Sequence, residues 1–263
     1  MTKPHSSRSL RVCLLAFLSL APPLSTSPAQ EAGAKTWVGH YQEVEEYLRT
    51  AECVGTEDIG RGSSAGRKRC VLPPGGPASR MLWKPQIPGV YRGFRESYKA
   101  EIAAYELDKL LKLDMVPPVV ERELQGHKGS ATLWVDNLLA WNGGAPPSPS
   151  DRSRWETQLT QMKMFDNVIG NKDRNQGNTA RDAVWNMILL DHARAFTAGT
   201  ELTHSLTRID QDLWARMDKL TPKQLDARLR PWLDENEIAA ILDRLERMKA
   251  DIKRRPAEAA LVP

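Results

Sequence analysis

Over residues 36–52 the apolar positions Trp37, Val38, Tyr41, Val44, Tyr47 and Leu48 recur close to a helical period, which predicts a helix. The texture changes over residues 54–84. Two short apolar runs, Arg69-Cys-Val-Leu72 and Arg80-Met-Leu-Trp83, flank Pro73-Pro-Gly-Gly-Pro77, and this pattern predicts a β-hairpin. Ahead of it lies Gly60-Arg-Gly-Ser-Ser-Ala-Gly66, a glycine-rich stretch that read alone is a turn. Helical spacing returns over 97–113, with Ala103, Ala104, Leu107, Leu110 and Leu111 on one stripe. Val116-Pro-Pro-Val-Val120 cannot continue that helix, because proline lacks the amide donor and restricts its predecessor, so it leads into a strand. Ser130-Ala-Thr-Leu-Trp-Val135 reads as a further strand.

A solvated connector, Asn142-Gly-Gly-Ala-Pro-Pro-Ser-Pro-Ser150, then separates this β-rich part from a mostly helical remainder. Residues 155–169 are periodic, and Met187-Ile-Leu-Leu190 is a short buried strand candidate. Thr221-Pro-Lys-Gln224 places threonine at a cap, proline at the first helical position and glutamine at the third, which marks a helix start. Asp234-Glu-Asn-Glu237 repeats that logic before Ile238, Ile241, Leu242, Leu245 and Ile252. The expected class is α+β, with a β-rich lobe over 30–141, a linker over 142–152 and a helical lobe over 153–263.

Composition changes this picture at one end. Hydrophobic residues make up 41% and charged residues 27%, so a core of ordinary size is within reach. Lys3, Arg8 and Arg11 precede the apolar run Val12-Cys-Leu-Leu-Ala-Phe-Leu-Ser-Leu-Ala21, and Ser27 and Ala29 occupy the small positions of a cleavage site. Residues 1–29 therefore read as a signal peptide, since a run of about ten apolar residues falls short of the roughly twenty that span a bilayer. The alternative is an uncleaved anchor. Cys13 opens the apolar run, whereas a lipid-modified cysteine would follow it. The leader carries three of the 37 basic side chains and none of the 33 acidic ones, so the remainder is nearly charge-balanced. Nucleic-acid binding gains no support from that balance, and no second stretch is long enough to span a membrane. Export would leave Cys53 and Cys70 either as a disulfide or as two buried thiols on neighbouring strands.

Several familiar sites are absent: there is no Cys-x-x-Cys pair, no His-Glu-x-x-His helix, no Gly-x-Ser-x-Gly elbow and no Walker A loop. What stands out is Phe165-Asp-Asn-Val-Ile-Gly-Asn-Lys-Asp-Arg-Asn-Gln-Gly-Asn178, followed downstream by Asp191-His-Ala-Arg-Ala-Phe196. The first is a helix running into a polar loop, and the second a buried strand ending on an aspartate. Such a loop is either a plain turn or a source of oxygen ligands, and Mg²⁺ on nucleotide phosphates asks for few protein oxygens.

Asp173-Arg-Asn-Gln-Gly-Asn178 and Leu190-Asp-His-Ala-Arg-Ala-Phe196 resemble the catalytic loop and metal-binding segment of atypical secretory-pathway kinases, the family of the Golgi casein kinase and four-jointed, with its bacterial relatives. HipA-type and phosphatidylinositol kinases are more distant cousins. Met81-Leu-Trp-Lys-Pro85 resembles the strand bearing that family's nucleotide lysine, and Lys99-Ala-Glu-Ile-Ala-Ala-Tyr-Glu-Leu-Asp-Lys-Leu-Leu111 with Val116-Pro-Pro-Val119 its nucleotide-lobe helix and next strand. The resemblance runs in order from about residue 50 to 200. It implies a two-lobed atypical kinase-like fold that uses ATP with Mg²⁺ or Mn²⁺. Lys84 would contact nucleotide phosphates, and Glu101 would position that lysine or a metal. Asp173 would orient or deprotonate the acceptor hydroxyl, while Asp191 and Asn178 would hold the metal. Helical spacing does not choose between Glu101 and Glu106; only the resemblance selects Glu101. Arg174 and Arg194 are expected to brace the loops through carboxylates.

The sequence departs from the pattern in places. Asn175 stands where the animal kinases carry histidine, Ala193 and Ala195 replace glycines, Ala65 sits where a third glycine would complete the glycine loop, and the cysteine-rich insertions are missing. The expected function is an exported, periplasmic or secreted, kinase acting on a protein or glycan hydroxyl. A non-catalytic exported module binding nucleotide or a partner is the second class, since compartments outside a plasma membrane hold little ATP. Nucleotidyl transfer is a third, by fold analogy alone. The acceptor and the oligomeric state are not written in the sequence.

Overall fold

The computed structural model describes Met1 and residues 35–57, 59, 66–254 and 261–262. The predicted leader apart from Met1, and residues 60–65 of the glycine-rich stretch, lie outside the described residues. Helix α1 (Tyr41–Thr50) turns Val44 and Leu48 inward, and the segment before it is a turn that buries Trp37 completely. Strands β1 (Gly55–Glu57), β2 (Lys68–Val71) and β3 (Arg80–Lys84) follow. The hairpin expected around Pro73–Pro77 is β2–β3, antiparallel with Cys70 opposite Met81. Cys53 and Cys70 are joined in a disulfide, their Cα atoms 5.3 Å apart, so the bonded reading of the cysteines holds.

Strands β4 (Gly89–Tyr91) and β5 (Phe94–Glu96) form a separate two-stranded ribbon, which the apolar pattern did not announce. Helix α2 (Tyr98–Leu111) starts where Ser97 accepts the Lys99 amide, a side-chain cap. Strands β6 (Val119–Leu124) and β7 (His127–Leu133) then complete a five-stranded antiparallel sheet in the order β1-β2-β3-β7-β6. Strand β7 begins before Ser130 because Gln125 and Gly126, with φ of 55° and 76°, make a two-residue turn of the kind that matches strand twist.

Strand β8 (Leu139–Ala140) precedes the long helix α3 (Pro149–Ile169). Ser148 caps α3 and Pro149 sits in its first turn, so the helix begins inside the segment expected to be a connector. Strands β9 (Thr179–Arg181) and β10 (Met187–Leu189) pair antiparallel beside β8. Strand β11 (Ile209–Asp210), helices α4 (Gln211–Met217), α5 (Pro222–Leu229) and α6 (Glu235–Lys253), and strand β12 (Leu261–Val262) finish the described chain. Both expected capping boxes are present, at Thr221 and Asp234. The class is α+β, with a β-rich lobe and a helical lobe.

Two hydrophobic cores meet at β10. Met187 and Leu189 point into the helical core with Tyr105, Phe165, Leu213 and Ile241, while Ile188 points into the sheet core with Trp37, Met81 and Trp83. Alternation along a strand sends neighbouring side chains to opposite faces, and here both faces are dry. Each fully buried side chain of this size contributes about 1.5–3 kcal/mol, so β10 is held from both sides. Its C-terminal end is therefore a fixed platform for Asp191. Among the described residues no helix is long and apolar enough to cross a membrane.

Candidate active site

Strand alternation also sets Lys84. On β3, Met81 and Trp83 pack into the sheet core, so Leu82 and Lys84 face the other way, onto the wall of a cavity of about 380 Å³. The neighbouring strand comes close there. A Cβ on Gly129 would overlap the Lys84 carbonyl and the Pro85 backbone, so this position requires glycine. Glu101, in the first turn of α2, faces the same point. Its Oε1 accepts from Lys84 Nζ, and its Oε2 accepts the His192 amide at 2.9 Å. Lys84 and Glu101 are 4% and 3% exposed, so this is a buried pair. Glu106 faces elsewhere, paired with Lys109 and with Arg228. The choice that spacing left open is thus made by which face of α2 meets β3.

Asp191 completes the group. It follows β10 with φ of 53°, a left-handed conformation that aspartate tolerates better than most residues. Its Oδ1 lies 3.2 Å from Lys84 Nζ and its Oδ2 lies 3.4 Å from Arg67 Nη2. Burial opposes the charges of Lys84 and Asp191. The carboxylates of Glu101 and Asp191 outweigh it and hold the lysine above its ordinary pKa, while Lys84 and Arg67 hold the Asp191 carboxyl below the usual range. Each group is thereby locked in its charged form.

The polar loop after α3 lies against this centre. Asn178 lines the cavity, its carbonyl accepts the Leu190 amide at 3.0 Å, and its side-chain amide donates to the Asp173 carbonyl at 2.8 Å. Arg174 is the brace. It forks onto Asp166, both bonds 3.0 Å long, and also donates to the carbonyls of Asn178 and Leu190. Asp166 is fully buried, and Arg174 and His204 outweigh burial to hold its carboxyl below the usual range. The Asp173 carboxylate is outside the cavity lining, 32% exposed and 3.3 Å from Arg194.

The structure therefore brings Lys84, Glu101 and Asp191 into direct contact, sets Asn178 on the same wall, and links Asp173 to it through one hydrogen bond. Sequence reasoning missed Arg67. Its pairing with Asp191 crosses 124 positions, and the only local signal is a basic residue directly after the glycine-rich stretch. The apolar lining was also unread; it includes Leu82, Val116, Val119, Leu133, Val135 and Leu189.

No family model matches the chain, and no match is found among curated proteins. Solved structures do match. The Golgi casein kinase aligns over 84% of this chain and 77% of its own with a TM-score of 0.62 and 15% identity. The Golgi casein kinase with Mn/ADP bound gives a TM-score of 0.62 and 15% identity over 84% and 78%. Hydra Fam20 with sugar gives 0.62 and 18% over 84% and 92%. The fold is that of an atypical kinase. At these identities the likeness is one of fold. In this kinase fold the buried Lys84–Glu101 pair joins the five-stranded sheet to α2, and Asp191 ends the strand that joins the two cores.

Proposed function

We propose that this chain is an exported atypical kinase that transfers the γ-phosphoryl group of ATP to a hydroxyl on a protein or glycan. The observation that carries the reading is Lys84, buried yet charged between Glu101 and Asp191 on the wall of a largely apolar cavity. A dry ion pair is costly to build and its retention calls for a task. The cavity is of a size that takes a nucleotide-scale ligand. Arg67 presents a buried Nε with no hydrogen-bond partner among the described residues beside that space, a donor suited to an anion. Asp191, Asn178 and Glu101 offer hard oxygen atoms, the donor chemistry Mg²⁺ or Mn²⁺ takes. These residues fit the implied groups.

In the proposed reaction Lys84 and Arg67 bind phosphate oxygens and hold the nucleotide in register, while Leu82, Val116 and Leu189 keep water from its base. Asp191 and Asn178 would hold the metal, which when bound neutralises charge on the phosphates. Asp173 orients the acceptor and takes its hydroxyl proton. The acceptor oxygen forms the new bond to the γ-phosphorus as the bond to the bridging oxygen breaks, and ADP leaves with that electron pair. The leader expected over residues 1–29 and the Cys53–Cys70 disulfide support an exported setting, because disulfides persist in oxidising compartments.

The test is thermal melting of the mature chain with ATP and Mg²⁺ or Mn²⁺, beside Asp191→Ala. A ligand that binds only the folded state raises its stability, by about 2.7 kcal/mol at a hundredfold excess over Kd. The expected result is a metal-dependent rise that Asp191→Ala loses. A folded chain whose midpoint stays unmoved by ATP with either metal overturns the reading.

A further inference from the structure

The ribbon β4–β5 has no place in the five-stranded sheet, and its register assigns its faces. Tyr91 lies opposite Phe94 and Gly89 opposite Glu96, so Phe94 and Glu96 share one face, while Arg95 on the other pairs with Glu237 of α6 at 2.6 Å. The face bearing Phe94 and Glu96 is turned toward Arg194. The Arg194 guanidinium carbon sits 4.2 Å from the centre of the Phe94 ring, and its Nε donates to Glu96 at 2.8 Å. Glu96 is itself buried and accepts from Gln86. The Ser97 amide bonds the Ala193 carbonyl at 2.9 Å, fixing the exit of the ribbon to the backbone beside Arg194. Stacked on a ring and anchored by a buried carboxylate, Arg194 then reaches Asp173 with Nη1 at 3.3 Å.

Asp173 needs that reach. Its amide bonds Asn171 and its carbonyl accepts from Asn178, so its backbone is well held. Among the described residues, the hydrogen-bond partner of its carboxylate apart from Arg194 is the Asn175 side-chain amide, at 3.4 Å. We propose that Arg194 is a positioning residue for phosphoryl transfer: the β4–β5 ribbon, through Phe94 and Glu96, holds the Arg194 fork, and Arg194 aims the Asp173 carboxylate at the acceptor. This rests on the kinase reading above and adds the acceptor-side ribbon to it. The planar fork satisfies two carboxylates while stacking, which a lysine cannot reproduce.

The experiment compares the wild-type chain with Arg194→Ala, Phe94→Ala, Phe94→Trp and the double mutant Phe94→Ala/Arg194→Ala, measuring metal-dependent ADP formation from ATP and the ATP-induced melting shift. Arg194→Ala is expected to lower kcat by about 10²-fold, the scale of a misplaced reacting group. Its KM for ATP and its ATP-induced shift should stay at the wild-type level, since the nucleotide centre is separate. Phe94→Ala should lose part of kcat, and Phe94→Trp should keep it by keeping the stack. Unchanged kcat in Arg194→Ala, a rise in kcat that marks the contact as an inhibitory clamp, or a parallel loss of the ATP-induced shift overturns the proposal. A wild-type chain that neither gains an ATP-induced shift nor forms ADP with any metal fails the kinase reading instead. In that case the double mutant still tests the structural half of the proposal, the hold of Phe94 on Arg194: non-additive melting losses for Phe94→Ala and Arg194→Ala support that hold, and additive losses sink it.

Discussion

Lys84 shows how much one position carries. Removing one member of a buried ion pair leaves the other desolvated and unpaired, which costs about 3–5 kcal/mol. Glu101→Ala leaves Lys84 with Asp191 alone and also orphans the His192 amide, so the unfolding free energy measured in urea should fall toward that range, whereas Glu106→Ala, at the less buried edge of α2, should cost far less. Equal losses for the two would contradict the assignment of Glu101. Gly129→Ala is the companion test. The added methyl meets the Lys84 carbonyl, so β3 and β7 must part where the lysine is anchored. The expected result is a melting loss together with a weakened ATP-induced shift; a normal shift would show that Lys84 tolerates the displacement. At this scale the motifs that carry Lys84, Glu101, Asn178 and Asp191, which the fold brings to one place, could be read as local strings, with Glu101 separated from Glu106 by the resemblance alone. Arg67 was not, because its role comes from a partner far along the chain.

Elements explain where the local strings end up. Asp108, on α2, accepts the amides of Met115 and Val116 and so ties the helix to the strand that follows. Burial pushes its carboxyl up to about 7, against those amides and Lys35. The fold favours the neutral acid, so the stability its proton carries is complete below the unfolded pKa of about 4 and is lost as pH rises through about 7. Asp108→Asn keeps an oxygen for both amides and has no such loss. Its stability relative to the native chain should therefore grow between about pH 4 and about pH 7 and then level off. His192, which burial and Arg174 push down to about 3, has the opposite sign, but it is present in both chains and cancels in the difference. A difference that shrinks with pH contradicts the argument. The disulfide is the second elemental device. It closes a loop of 17 positions, for which chain entropy gives about 3 kcal/mol. Dithiothreitol should lower the denaturation midpoint accordingly, and an unmoved midpoint would mean that the loop is held by packing alone.

Legibility in the sequence differs from element to element. Helices α2, α5 and α6 carry a cap and a periodic stripe, and each lies close to where its pattern put it. The ribbon β4–β5 went unseen because its strands have three residues each, too few for alternation to register. Its turn is Arg92-Gly93, with φ of 50° and 83°, and arginine is not the residue that signals such a turn. The start of α3 was misplaced by a proline-rich stretch whose last proline opens the helix.

For the whole molecule, the order of a β-rich part before a helical part was legible from pattern alone, and the kinase likeness came from four short motifs in order. What the pattern could not supply was the meeting of the two cores on β10, since buried runs look alike whichever layers they join. That meeting makes the account coherent: one strand, dry on both faces, delivers Asp191 to a lysine delivered by a different sheet. The central claim is phosphoryl transfer at that junction. The direct measurement is metal-dependent release or transfer of the γ-phosphoryl group of labelled ATP by the chain without residues 1–29, beside Asp173→Ala and Asp191→Ala. Turnover is expected in the wild type, with a loss of orders of magnitude in both variants, and an ATP-induced melting shift in the wild type and Asp173→Ala that Asp191→Ala lacks. Undiminished turnover in Asp191→Ala would contradict that claim, and nucleotide binding with no turnover in the wild type would leave a kinase fold that binds without catalysing.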